Sequence, residues 1–217
     1  VDKFRVKFYF LVYYFLTSLT FCYVYFQKIG VHSDFYSPDS SSGIISVLNF
    51  EAIKVMQYRL LVPFLYKLLS MFLPIPEKAV YFVLLVILCF IVIYIFFRLL
   101  NEYFEDRKIN AIIAPVIIYP MVWNFIILNG QSFYVDFSNL IFVLLGYYFI
   151  IKKMDIALLA TIFIGSLNHD SIGFLIPMYL LFNYKKIFTG RIIAVTILLV
   201  LIIVGIKAIL SEVFINN

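Results

Sequence analysis

Long apolar runs separated by short polar stretches are the dominant pattern along this chain. Continuous runs of 18 or 19 residues occupy positions 8–26, 79–97, 111–128, 134–151 and 192–210. An α-helix rises about 1.5 Å per residue, so each run approaches the ~30 Å thickness of the hydrocarbon core of a bilayer. Each run therefore predicts a membrane-spanning helix.

A longer apolar stretch, 156–184, is interrupted by the polar triplet Asn168, His169 and Asp170 and again by Pro177. The interruption predicts two short membrane helices that meet at a polar turn. With the five other runs, this hairpin gives an all-α, polytopic membrane helix bundle of about seven spans. We expect residues 1–217 to form a single transmembrane domain.

The longest polar stretch, 27–57, contains a proline, a glycine and three consecutive serines and is typical of a loop. Segment 58–73 follows it, and its length corresponds to a rise of only about 24 Å. On a helical wheel, Arg59 and Lys67 lie on one face and most of the leucines and phenylalanines lie on the other. The pattern favours an interfacial amphipathic helix, so we predict an outer loop over 27–78 with a surface helix at 58–73.

The distribution of Lys and Arg orients the predicted bundle, because cytoplasmic loops are enriched in these residues. If 58–73 lies flat on the outer surface and 156–184 is a hairpin, 11 of the 17 cations face the cytoplasm. If both segments cross once, only 7 do. We therefore predict a cytoplasmic N-terminus. The first run lacks a small-x-small cleavage pattern, so we expect a membrane helix rather than a removed signal peptide.

Composition agrees with a membrane protein and narrows its class. The chain is 65% hydrophobic and 13% charged, with a mean hydropathy of +1.05, whereas soluble domains are about 25% charged. The net charge of +5 is distributed singly or in pairs between the apolar runs, which indicates topology rather than a nucleic-acid surface. Cys22 and Cys89 lie inside apolar runs, away from any metal-ligand spacing, and are expected to face lipid or pack.

The predicted topology brings a set of polar residues to the outer face. They are Asp34, Asp39, Arg59, Asn129, Gln131, Asp136, Asn168, His169 and Asp170. The short inner loops carry mainly Lys and Arg. Any chemistry is therefore expected on the outer side.

Each of these residues also has a structural interpretation. Asp34 fits a solvated loop acid as well as a general base, and Asp39 follows a proline and fits a turn. Arg59 could reach lipid headgroups or bind a phosphate through its fork of donors. Asp136 lies in the first turn of an apolar helix, where an ionisable residue is costly and indicates function. The triplet 168–170 could simply be the turn of a hairpin.

Motifs for other chemistries are absent from the sequence. It contains no GxxxxGK, GxGxxG, GxSxG or HExxH, so nucleotide hydrolysis, dinucleotide binding, serine hydrolysis and zinc proteolysis have no support. No cofactor and no metal ligands are predicted; a divalent metal is compatible with the sequence but is not indicated by it. Nucleic acid is not an expected partner.

Three short motifs give the chain a family resemblance. They are Gln57-Tyr-Arg-Leu-Leu-Val-Pro-Phe-Leu65, Tyr134-Val-Asp-Phe-Ser-Asn139 and Leu167-Asn-His-Asp-Ser171. With the order of first span, outer acid, long outer loop and row of spans, the chain resembles the amino-terminal membrane module of the GT-C class of glycosyltransferases. It is also similar to uncharacterised bacterial membrane proteins near that class. Those relatives more often have Asn-Arg-Glu-Thr or Asn-Lys-Glu-Ser in the third motif, so His169 and Asp170 are departures.

The resemblance implies an activity, partners and site residues. It implies transfer of a sugar from a polyprenyl-phosphate-linked donor to a glycan or lipid acceptor at the outer face of a bacterial inner membrane, within cell-envelope polysaccharide biosynthesis. Asp34 would be the general base and Arg59 would stabilise the leaving phosphate. Asp136, Asn168, His169 and Asp170 would form or orient the substrate pocket.

A different class of function stays open beside the enzyme. The chain could be a non-enzymatic membrane protein, either a transporter of lipid-linked sugars or small solutes or an assembly subunit. A transporter would need polar groups near the bilayer midplane in two corresponding halves, and only 168–170 approaches this. A polymerase of carbohydrate chains is a third reading, close to the first in substrate.

Overall fold

The computed structural model describes residues 2–29, 44–49, 59–123 and 133–215, and within these ranges the chain is helical, with no strand. The prediction of an all-α fold is confirmed for this part of the chain. The α-helices are α1 (Asp2–Ile29), α2 (Ile44–Leu48), α3 (Leu61–Phe72), α4 (Glu77–Tyr103), α5 (Arg107–Ile113), α6 (Tyr119–Met121), α7 (Phe133–Ile151), α8 (Asp155–Ser166), α9 (Leu175–Phe182) and α10 (Gly190–Ile215). Three 3₁₀ segments, Ala114–Ile118, Asp170–Phe174 and Tyr184–Lys186, lie between them.

Three of the described helices are long and apolar enough to cross a membrane. They contain the spans Phe8–Gln27, Glu77–Tyr103 and Gly190–Val213, which match three of the predicted runs. Helices α3, α7, α8 and α9 are apolar but shorter. The structure therefore indicates a membrane protein, while the count of about seven spans stays a prediction.

The chain divides into two compact units. The first comprises Val1–Ser37 and Tyr66–Phe137, and the second comprises Pro38–Leu65 and Ser138–Asn217. In the first unit α1 packs along α4, and α4 also contacts α5 and the 3₁₀ segment that follows. The Tyr14 hydroxyl donates to the Ala111 carbonyl oxygen at 3.0 Å, which satisfies a buried polar group between these elements.

The two cysteines pack inside the first unit. Both side chains are fully buried, Cys22 on α1 and Cys89 on α4, the two helices that pack along each other. Of the two expectations from the sequence, packing is confirmed and exposure to lipid is wrong for this pair. The physical reason is that a small, polarisable thiol permits two helices to approach closely.

Within its described part, as far as Trp123, the predicted span at 111–128 is helical but is not one regular α-helix, and the span itself stays a prediction. Helix α5 ends at Ile113, a 3₁₀ segment follows, and α6 is only three residues long. Pro115 and Pro120 lie in these short pieces. Each proline lacks the backbone N–H that a continuous α-helix would use, and its ring crowds the preceding turn. The chain consequently changes helix type along this segment, with right-handed helical backbone at the junctions Ala114 and Tyr119.

The second unit contains a hairpin at the predicted place. Helix α8 is followed by a turn at 167–169, a 3₁₀ segment and α9, and α10 packs against both α8 and α9. Pro177 does not interrupt the chain, because it lies in the first turn of α9, where its missing N–H is tolerated. The apolar core of this unit consists of Ile150, Leu158, Ile162, Ile172, Leu175, Tyr179, Ile192, Val195 and Leu199.

The amphipathic segment is present but shorter than predicted. Helix α3 begins at Leu61, so Arg59 precedes the helix instead of lying on it, and the predicted bounds 58–73 are corrected to Leu61–Phe72. Pro63 occupies the third helical position, where a missing N–H costs nothing. Among its apolar residues, Phe64 and Phe72 are exposed, as an interfacial helix requires.

Candidate functional site

The candidate site is built on the turn that joins α8 to the following 3₁₀ segment. Helix α8 ends at Ser166, and His169 then adopts an extended backbone with φ −159° and ψ 144°. The His169 side chain caps the next segment, since its Nδ1 accepts the Ser171 backbone N–H at 3.0 Å. The imidazole is thereby fixed in orientation by the local backbone.

Arg59 is attached to this turn through its neighbours in sequence. The backbone N–H groups of Leu60 and Leu61 both donate to the Leu167 carbonyl oxygen, at 2.9 and 3.2 Å. These bonds satisfy donors at the start of α3 that have no partner within the helix. As a result, the Arg59 Nη2 lies 3.3 Å from the His169 Nε2, although the two residues are 110 positions apart in sequence.

The nature of the contact between Arg59 and His169 depends on which imidazole nitrogen carries the proton. A neutral imidazole carries a proton on one nitrogen and accepts through the other. Because Nδ1 of His169 accepts from the backbone of Ser171, Nε2 carries the proton. A guanidinium also only donates. Two donors therefore face each other, and an anionic oxygen placed to accept from both would make the arrangement favourable.

The surroundings of His169 favour its neutral form. Burial lowers the pKa of His169 below its ordinary value of 6.5, and the positive charges of Arg59 and, more weakly, Lys207 lower it further. The negative charge of Asp170 opposes these effects. The imidazole is accordingly neutral at pH 7, as the hydrogen-bond pattern requires.

A second cation joins the turn from α10. The Lys207 Nζ lies 3.0 Å from the Asp170 Oδ1, and both side chains are substantially exposed. We refer to Arg59, His169, Asp170 and Lys207 as the turn cluster. With two cations and one carboxylate it has a formal charge of +1 when His169 is neutral. This charge suits an anionic ligand, although an exposed ion pair contributes little stability by itself.

Asn168 anchors the turn to α7. Its side chain is buried, and its Oδ1 accepts from the Ser138 hydroxyl of α7 at 2.8 Å. Gly165 provides the space for this packing, because a Cβ there would lie 2.9 Å from Ile172 and 3.1 Å from Phe142. Asn168 thus belongs to the framework that positions the two predicted site residues after it, His169 and Asp170.

The structure brings three of the predicted site residues together. Apart from Asn168, the others lie in the first unit or outside the described residues. Arg59, His169 and Asp170 meet in the second unit. Asp136 belongs to the first unit, where it lies half-buried in the first turn of α7 and has interaction partners of its own. Asp34, Asp39, Asn129 and Gln131 lie outside the described residues.

Lys207 is a member of the cluster that we did not select from the sequence. It is the single charged residue in the last apolar run, 192–210. An ionisable residue in such a run is costly in a membrane and indicates function, so the signal was available. In the described part of the chain, no group of three His, Cys, Asp or Glu side chains could hold a metal ion.

Comparisons with protein-family models, with curated proteins and with solved structures find no match for this chain.

Proposed function

We propose that this protein transfers a sugar from a polyprenyl-phosphate-linked donor to an acceptor hydroxyl at the outer face of the membrane. The observation that carries the proposal is the pair of donors formed by Arg59 and His169, fixed 3.3 Å apart by backbone hydrogen bonds. The donor phosphate would supply an anionic oxygen to both groups, for which the described residues provide no shared acceptor.

The exposed apolar residues of α3, which follow Arg59 in sequence, support a lipid phosphate as the anion. Arg59 immediately precedes α3, whose exposed apolar residues Phe64, Leu68, Met71 and Phe72 would rest in the lipid interface. A guanidinium at that level can meet a headgroup phosphate without leaving the interface. Planar recognition of phosphate through two parallel N–H groups is a property of Arg that Lys lacks.

The proposed reaction is an inverting displacement. The acceptor oxygen attacks the anomeric carbon, and the bond between that carbon and the phosphate oxygen breaks. Polyprenyl phosphate leaves with the electron pair, and Arg59 and His169 stabilise the charge that develops on its oxygen. Asp34 takes the proton of the acceptor hydroxyl as general base.

The test is sugar transfer from labelled polyprenyl-phosphate sugars in membranes that contain the full chain. We expect Arg59→Gln to lower kcat/KM roughly 100-fold or more, because a donor to the developing oxyanion is lost. Arg59→Lys should recover only part of this activity, since it restores the charge without the fork. Asp34→Asn should lower kcat by about 100-fold or more through loss of the base.

Lys67→Gln is the matched control, since it removes one exposed positive charge from α3 without touching the turn cluster. Its activity should equal that of the wild type. Equal activity of Arg59→Gln and Lys67→Gln with a transferred donor would contradict the assigned role of Arg59. No transfer by the wild type across a broad donor panel would contradict the enzyme.

A second candidate is binding of a lipid-linked sugar without transfer, as in a transporter or an assembly subunit. It is favoured by the composition of the turn cluster, which offers Arg59 and a neutral His169 to an anion while its carboxylate is paired with Lys207. The two candidates separate in one experiment. Specific retention of a labelled donor by the wild type, lost in Arg59→Gln and without any product, would select the binding protein.

A further inference from the structure

The second unit has a second polar end, remote from the turn cluster. There the Arg191 Nε donates to the Asp155 Oδ2 at 2.7 Å, and the Tyr179 hydroxyl donates to the Asp155 Oδ1 at 3.4 Å. Arg191 and Lys207 are both on α10, 16 residues apart, which corresponds to about 24 Å along the helix axis. The two polar ends are thus separated by nearly the thickness of a hydrocarbon core.

This end of the unit contains a cleft of about 480 Å³. Its charged lining residues are Lys153, Asp155, Lys185, Lys186 and Arg191, and we call it the basic cleft. Four cations against one carboxylate give a formal charge of +3. The cleft is large enough for a phosphate-bearing headgroup and strongly favours an anion.

Asp155, the carboxylate in the lining, already has hydrogen-bond partners. Asp155 accepts hydrogen bonds from both Arg191 and Tyr179. Within the described residues, no carboxylate pairs with Lys153 or Lys186. The cations of the basic cleft therefore exceed what its own acid can neutralise, and a ligand would supply the missing negative charge.

The basic cleft also has apolar side chains in its lining, beside the uncharged polar residues Asn183 and Thr189. The apolar side chains include Ile150, Phe182 and Ile192, beside the ring of Tyr184. Charged and apolar groups in one cleft match a ligand with an anionic head and an apolar body. A lipid of this kind would place its phosphate among the lysines and its glycerol and first methylenes against the isoleucines.

We propose that the basic cleft binds a phosphate group, carried by an anionic phospholipid headgroup or supplied as free phosphate. The site is independent of the proposed sugar transfer, because it rests on different residues at the opposite end of the unit. Failure of the transfer assay would consequently leave it standing.

Lys153 makes a sharp test feasible. It has a backbone φ of 56° in the turn between α7 and α8, a conformation in which glycine is at least as stable as lysine. Lys153→Gly therefore removes a cation without weakening the fold. The test variant is Lys153→Gly with Lys186→Gln. The charge-matched control is Lys108→Gln with Lys152→Gln, two exposed lysines outside the cleft lining.

The experiment is native mass spectrometry of the full chain in non-ionic detergent, titrated with dioleoylphosphatidylglycerol and, separately, with dioleoylphosphatidylcholine. We expect preferential binding of phosphatidylglycerol, with a dissociation constant raised roughly 25-fold in the cleft variant, about fivefold for each cation removed. The control should bind like the wild type. A parallel arm titrates inorganic phosphate and measures displacement of phosphatidylglycerol.

Each outcome decides the proposal. Selective loss of phosphatidylglycerol binding in the cleft variant supports it and identifies a lipid as the source of the phosphate. Displacement by millimolar inorganic phosphate also supports it and identifies free phosphate. Equal weakening in both double variants, or no binding of either probe, would overturn the site and leave a general surface attraction.

Discussion

At the scale of single residues, the central feature is an imidazole held between two donors. His169 accepts from Ser171 through one nitrogen and faces Arg59 with the other. The sequence indicated that both residues belong to the outer face, because each interrupts or borders an apolar run. It could not indicate that they touch, since 110 positions separate them and no local period connects them.

The surroundings of His169 predict the direction in which the stability of the protein changes with pH. In the folded chain His169 should take up its proton only below pH 6.5, because burial, Arg59 and Lys207 all disfavour the imidazolium. The unfolded chain then binds more protons than the folded chain as the pH falls, so the free energy of unfolding decreases from pH 6.5 downward. NMR of histidine-labelled protein measures the midpoint directly, with His32→Gln to assign the second of the two histidines.

Three variants test the causes of the shift separately. Arg59→Gln and Lys207→Gln each remove a cation and should raise the midpoint, whereas Asp170→Asn removes the opposing anion and should lower it. A midpoint at or above 6.5 in the wild type, unmoved by Arg59→Gln, would show that the guanidinium does not face the ring.

At the scale of elements, packing inside the second unit involves close approach at two glycines, Gly146 against Leu175 and Gly165 against Ile172. In a bilayer, helices gain no hydrophobic free energy from leaving lipid, so contact between small residues carries the association. We expect Gly165→Ala to lower the melting temperature in detergent, because its Cβ would press on Ile172 and on the Cβ of Phe142. Gly205→Ala is the control: nothing lies within 4 Å of its Cβ, so it should be neutral or stabilising by up to about 1 kcal/mol.

Equal effects of the two glycine substitutions would mean that α7, α8 and the 3₁₀ segment are less closely packed than described.

Periodicity and length predicted α1, α4 and α10 correctly, because a single long apolar run has one stable solution in lipid. They did not predict the changes of helix type within 111–123, where Pro115 and Pro120 shape the backbone in spite of an apolar sequence. The start of α3 was also missed, since it depends on the Leu167 carbonyl from a distant turn.

At the scale of the whole molecule, the orientation in the membrane is a prediction from charge. The basic cleft and the turn cluster lie at opposite ends of α10, and the cleft contains four of the seven Lys and Arg that the structure describes in the second unit. The positive-inside rule assigns the cleft end to the cytoplasm. This orientation could be predicted from the sequence, because it depends only on where Lys and Arg lie along the chain.

Cysteine labelling tests this orientation. A cysteine at Ser41 should react with an impermeant maleimide in intact cells, and a cysteine at the exposed position Glu105 should react only after the cells are opened. The native Cys22 and Cys89 are buried, so they contribute no background in the folded protein. Reversed labelling would move the turn cluster to the cytoplasmic side and remove the outer-face sugar transfer.

The attachment of Arg59 to the turn has a consequence for how this protein can change over time. Leu60 and Leu61 bind the backbone oxygen of residue 167, and a backbone oxygen is present whatever side chain occupies that position. Substitutions at 167 can therefore accumulate without loosening the contact. Among related chains, substitutions at positions 60 and 167 should therefore show little correlation. Substitutions at positions 59 and 169 should be strongly correlated, because their side chains contact each other.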